Sequence, residues 1–164
     1  MFKNKQGVKR AMVRIVAGVV APAALFVVAQ TGTANAAWKN GEMLNLAKQQ
    51  CLDGGGGYVS SWSCNGSPVQ IWHDISTPGA SWYQFQDGNG DCVDPGVGSN
   101  NGIGPCNGGS WQWWTKEAPM SVNGQTYYRF RNVHDTSKCL DGGQSGNAIS
   151  FPCNGGNYQY WLWN

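Results

Sequence analysis

The chain has 164 residues, with 11 Lys and Arg against 9 Asp and Glu, and it holds 9 Trp, 6 Cys and 24 Gly. Its length suits one domain. Beyond a basic N-terminal stretch it has no run of Lys or Arg, which argues against nucleic acid and anionic membranes as partners, since both demand clustered positive charge.

The first segment reads as a targeting signal. Lys3, Lys5, Lys9, Arg10 and Arg14 occur there with no acid, an apolar run follows from Ile15 to Ala29, and Ala34-Asn35-Ala36 closes it. A basic region, an apolar region and a small-residue cleavage site predict a Sec-type secretory signal peptide over residues 1–36, cut after Ala36. The apolar run of fifteen residues is shorter than the ~20 that span a bilayer, so no membrane insertion is expected. Removal of five basic residues leaves six against nine acids, a formal net charge of −3. All six Cys and all nine Trp lie in the remaining residues 37–164. Aliphatic residues are sparse there, so disulfides and Trp must supply the stability that a large Leu/Ile/Val core otherwise gives.

That part repeats itself three times, with repeats at about 42–83, 84–127 and 128–164. Cys51-Leu52-Asp53, Cys92-Val93-Asp94 and Cys139-Leu140-Asp141 open the blocks, offset by 41 and 47 residues. A second cysteine follows 13 or 14 residues on, in Cys64-Asn65-Gly66, Cys106-Asn107-Gly108 and Cys153-Asn154-Gly155. Six residues later come Gln70-Ile71-Trp72, Gln112-Trp113-Trp114 and Gln159-Tyr160-Trp161. Fixed features recurring in order mark a repeat architecture. Short alternating runs such as Leu44-Asn45-Leu46 and Phe130-Arg131-Asn132, set between Gly, Asn and Pro turn signals, predict β-strands.

Six cysteines allow 15 pairings, and one treats the repeats identically and locally: Cys51–Cys64, Cys92–Cys106 and Cys139–Cys153. Each loop of that size is worth about 3 kcal/mol in the chain-entropy account. Zinc ligation is disfavoured, because no two cysteines stand two to four residues apart. Trp72, Trp114 and Trp161 are expected to point inward and fill the core.

This array of Cys-Leu-Asp, Cys-Asn-Gly and Gln-x-Trp resembles the ricin B-type lectin domain, also found as a carbohydrate-binding module on actinobacterial glycosidases. The resemblance covers about residues 42–164. It implies an all-β protein, a β-trefoil in which six strands close a barrel and six form a hairpin cap. It also implies carbohydrate binding, galactose-like or another glycan, once per repeat. In that family the Asp after the first Cys accepts from sugar hydroxyls, as charged acceptors do more strongly than neutral ones. An aromatic residue two before the second Cys stacks on the sugar, the motif Gln orients the Asp, and a polar residue just before that Gln adds a hydrogen bond. The first repeat keeps Asp53, Trp62 and Gln70, with Val69 where a polar residue would help. The third keeps Asp141, Phe151 and Gln159, with Asn157 and Tyr158 before it. The second keeps Asp94 and Gln112 but has Gly104 where the ring belongs, so its site is expected to be degraded unless Trp111 or Trp113 substitutes. Read without the family, Asp in such a turn is a turn former; Asp53 and Asp141 precede Gly and Asp94 precedes Pro, and for Asp94, which has no ring at the platform position, the structural role is the one expected.

Catalytic motifs are missing from the sequence, and no cofactor or metal is expected. His73, after a core Trp, reads as a surface residue. The expectation is a secreted, non-enzymatic lectin with sites in the first and third repeats. The alternative is a protein-interaction subunit or inhibitor in a larger secreted assembly, using the trefoil as a scaffold.

Overall fold

Alternating runs bounded by Gly and Asn become strands in the computed structural model, which describes residues 41–96, 102–143 and 147–163. The leader and its cleavage point after Ala36 lie outside the described residues. The first repeat carries β1 (Met43–Asn45), β2 (Cys51–Asp53), β3 (Ser60–Trp62) and β4 (His73–Asp74). Next come β5 (Phe85–Gln86), β6 (Asp91–Asp94), β7 (Gly102–Pro105) and β8 (Trp114–Val122). The last four are β9 (Gln125–Asn132), β10 (Lys138–Asp141), β11 (Ile149–Pro152) and β12 (Tyr160–Trp163). One 3-10 turn precedes the last strand of each repeat, at Pro68–Gln70, Ser110–Gln112 and Asn157–Gln159.

The pairings close a ring. β12 pairs β1, Glu42 bridges Ile71 just before β4, and β4 pairs β5. Tyr83 then bridges Trp114, β8 pairs β9, and β9 pairs β12. The result is a six-stranded antiparallel barrel without a free edge. The other six strands form three hairpins, β2–β3, β6–β7 and β10–β11. Bridges Tyr58↔Gly102 and Ser60↔Asn147 join these hairpins to one another.

The core follows the same threefold plan. Met43, Phe85 and Phe130 form one set, Leu52, Val93 and Leu140 a second, and Trp72, Trp114 and Trp161 a third, all fully buried. Burying 150–250 Å² of Trp at ~25 cal/mol per Å² is worth about 4–6 kcal/mol as an upper bound. At that bound each tryptophan is comparable in scale to a disulfide. Phe85 packs edge-to-face on Phe130 at 5.0 Å and on Trp163 at 5.1 Å. The indole N–H of Trp72 donates to Leu52 O and that of Trp161 to Leu140 O, both at 3.0 Å. Trp114 Nε1 is buried with no hydrogen-bond partner among the described residues.

The three disulfides pair as the repeat predicts, Cys51–Cys64, Cys92–Cys106 and Cys139–Cys153. Each brings its Cys-Asn-Gly corner beside the buried motif glutamine. Gln Oε1 accepts from the Asn backbone N–H in every repeat, at 2.8 Å (Asn65), 2.9 Å (Asn107) and 2.9 Å (Asn154). Gln Nε2 donates back to Ser63 O, Pro105 O and Pro152 O. The glycine that follows each Asn has φ of 64°, 69° or 73°, a left-handed conformation glycine adopts without penalty. This closed network explains why cysteine, Asn-Gly and Gln recur together.

One element breaks the symmetry. β8 and β9 run far past the two-residue strands β4 and β5 and turn at Asn123-Gly124, both with positive φ, as tight hairpins require. The extension lays Met120, Val122 and Tyr127 against Leu44, Tyr160, Leu162 and Cys51, a satellite apolar cluster apart from the central core. On the same hairpin Glu117 pairs with Arg129 at 2.7 Å and with Arg131 at 2.9 Å.

Candidate functional site

Each repeat ends its first hairpin strand in Asp, and each Asp closes a turn with its own side chain. Oδ1 accepts from the backbone N–H two residues on: Gly55 at 2.8 Å, Gly96 at 2.9 Å and Gly143 at 2.8 Å. The turn-forming role is thus real in all three repeats. It occupies one of about four acceptor positions on a carboxylate, so a second role is open.

The other oxygen differs between repeats. Gln70 Nε2 donates to Asp53 Oδ2 at 2.9 Å, and Gln112 Nε2 donates to Asp94 Oδ2 at 3.0 Å. In the third repeat Gln159 Nε2 donates only to Pro152 O among the described residues, and Asp141 is not held by it. Asp94 receives a further contact from Asn107 Nδ2 at 3.5 Å and is 3% exposed. Asp53 is half-buried, and Asp141 is 7% exposed.

Strand register places the rings. The first cysteine of each hairpin stands directly opposite the platform position: Cys51↔Trp62, Cys92↔Gly104 and Cys139↔Phe151. Opposed residues share a face, and so do residues two apart on one strand. Asp53 and Trp62 therefore face the same side, as do Asp141 and Phe151. Trp62 is 63% exposed and Phe151 44%, unusual for rings this large. A stacked pyranose can cover such a ring while its hydroxyls reach the carboxylate. Tyr158 is half-buried and Asn157 exposed beside Gln159.

The second repeat lacks that combination. Nothing lies within 4 Å of where a side chain on Gly104 would begin, so the platform space is open but empty of a ring. Trp111 is stacked on His134 at 4.0 Å and Gly96 packs against it, while Trp113 is stacked on Trp82 at 4.3 Å. Trp111 thus lies beside the turn that Asp94 closes, since the Gly96 it packs on donates to Asp94 Oδ1, with a ring face given to His134. His73 is exposed on β4.

Sequence reasoning passed over three further residues on this surface. Along β3 and the residues before it, Val59 and Ser61 are buried, while Tyr58 (48% exposed), Ser60 and Trp62 point outward. Ser60 pairs with Asp53 on one side and bridges Asn147 of the third repeat on the other. The period-two pattern of Tyr58-Val59-Ser60-Ser61-Trp62 carried the signal for Tyr58. No local pattern could place Asn147 there. Elsewhere, Glu42, Cys51 and Cys64 cluster in the manner of metal ligands, but both sulfurs are spent in a disulfide.

No protein-family model and no curated protein matches the chain. Solved structures do. A designed threefold-symmetric protein, ThreeFoil, aligns with a TM-score of 0.59 at 20% identity, over 74% of this chain and 94% of its own. The fold is a β-trefoil. The trefoil also aligns with the hemolytic lectin CEL-III, with a TM-score of 0.61 at 22% identity over 76% of this chain and 32% of that one. SeviL, solved bound to asialo-GM1 saccharide, aligns with a TM-score of 0.58 at 13% identity, over 74% of this chain and 92% of that one. The chain thus spans about a third of CEL-III, and 16% of a mosquitocidal holotoxin that it also resembles.

Proposed function

We propose that the chain is a secreted, non-enzymatic lectin of the ricin B type, made as residues 1–36 of leader and residues 37–164 of trefoil. It holds glycan through Asp53, Trp62 and Gln70 in the first repeat and through Asp141, Phe151, Asn157, Tyr158 and Gln159 in the third. The second repeat, with Asp94 and Gln112 but Gly104, is a degraded site. One observation carries the reading: a carboxylate fixed by Gln70 and Gly55 stands beside an indole that is 63% exposed. That pairing of a pre-oriented charged acceptor and an open apolar ring suits the two faces of a pyranose.

The neighbours support a glycan partner, since one is a hemolytic lectin and another was solved bound to asialo-GM1 saccharide. Galactose-like sugars are accordingly the first to try. Three disulfides suit an oxidising, extracytoplasmic compartment. No helix among the described residues is long and apolar enough to cross a membrane. Two weak sites on one body gain from multivalent surfaces, where linkage adds about 10²–10⁴-fold. The second reading, a protein-binding scaffold, is favoured by Val69 and Gly104, which depart from the lectin pattern.

The test is a glycan array probed with the mature protein and with the Asp53→Ala/Asp141→Ala double variant. Binding by the parent and loss in the variant is expected. Glycan binding that survives both substitutions overturns the site assignment, and a protein partner in place of any glycan supports the scaffold.

A further inference from the structure

We infer that the first site is an elongated groove that takes the interior of an oligosaccharide chain rather than a single terminal sugar. This inference rests on the lectin reading above. The geometry of β3 carries it. Tyr58, Ser60 and Trp62 alternate with buried Val59 and Ser61, so the two exposed rings stand on one face at the ends of a short extended run. Four residues of strand at ~3.3 Å each separate their Cα atoms by about 13 Å. That span exceeds one pyranose and matches consecutive units of a chain.

Polar groups lie between the rings. Ser60 sits midway, Asp53 is directly opposite it on β2, and Asn147 of the third repeat is bridged to it on the other flank. Residues paired across strands share a face. The groove therefore has a ring at each end, a hydroxyl on its floor, a carboxylate on one wall and an exposed amide on the other. Acceptors and donors alternate with stacking surfaces along its length, as a chain of linked sugars presents hydroxyl edges and apolar faces in turn.

The Tyr58 ring lies over Gly56, 3.5 Å from where a side chain would begin there. Glycine at 56 keeps that side clear, and its φ of 87° requires glycine in any case. The third repeat has Asn147 at the position four before its ring, where the first has Tyr58. Among the described residues the first repeat alone carries two exposed rings along its outer hairpin strand; the second ring of the third site, Tyr158, stands on a 3-10 turn instead.

Titration calorimetry on the Asp141→Ala background isolates the first site. Galactan-derived and xylan-derived ladders, monosaccharide to hexasaccharide, serve as probes. The parent should bind longer oligomers more tightly than monosaccharide. Tyr58→Ala should weaken the longest oligomers about tenfold, the scale of a lost aromatic contact, and leave monosaccharide affinity within about twofold. Trp62→Ala should weaken every length. Tyr58 is half exposed, so its removal leaves the core intact, and an unchanged melting curve verifies that. Equal oligomer affinity with and without Tyr58 overturns the groove while leaving a one-sugar site standing. If neither ladder binds the parent and an array shows no glycan bound, the lectin reading falls and the groove with it.

Discussion

Gln70 donates its amide N–H to Asp53 Oδ2 at 2.9 Å, whereas among the described residues Gln159 donates to Pro152 O and not to the matching carboxylate of Asp141. The same motif residue thus orients an acceptor in one repeat and only staples a loop in another. Gln70→Leu should weaken glycan binding at the first site about tenfold, the scale of a hydrogen bond to a charged group. Gln159→Leu should cost the third site much less. Isotherms on single-site backgrounds give the comparison, and equal losses would contradict it.

The core tryptophans are unequal in a measurable way. Trp72 and Trp161 each donate an indole N–H to a buried carbonyl, while Trp114 has no partner among the described residues. Trp72→Phe and Trp161→Phe should each cost about 1 kcal/mol more than Trp114→Phe, because only they orphan a carbonyl. Urea denaturation of the three variants checks the order.

Asp87 occupies the position of Asn45 and Asn132 in the other repeats. All three use one side-chain oxygen to cap backbone N–H groups. Asn45 Nδ2 then donates to Tyr158 O at 2.8 Å and Asn132 Nδ2 to Trp111 O at 2.7 Å. Asp87 Oδ2 is buried with no hydrogen-bond partner among the described residues. Replacing it by an amide restores the missing donor. Asp87→Asn should therefore stabilise the trefoil by about 1–2 kcal/mol, and a lower denaturation midpoint would refute this.

Glu117 accepts from Arg131 and Arg129, and these bonds, Arg131's foremost, hold its carboxyl below the ordinary value of 4.5. Its contribution to stability is complete above that value and fades as pH falls through the lower folded one. Glu117→Gln should lower the melting temperature at neutral pH and flatten the acid limb of its pH profile. A parallel downward shift at every pH would count against the ion cluster.

The repeat made much of this legible. Cys51, Cys92 and Cys139 with their partners, and the three Gln-x-Trp tryptophans, are local signatures whose spacing predicts staple and core. The resemblance those signatures carry implied the trefoil. What escaped is what depends on contact between repeats or on a lost donor. The bond from Gln70 to Asp53 and its absence between Gln159 and Asp141 arise from identical motifs. Asn147 reaches the first site only because two hairpins bridge. The strap of Met120, Val122 and Tyr127 needed knowledge of which barrel face β8 and β9 cross.

Met43 pairs with Trp163, so the trefoil's first and last strands lie side by side. A polypeptide entering before β1 and one leaving after β12 use the same doorway. Fused in the middle of another chain, the trefoil would hang as a pendant and add little to that chain's reach. Joined end to end and reopened at Asn123-Gly124, it would keep the pairing that closes its barrel while its repeats ran in a new order.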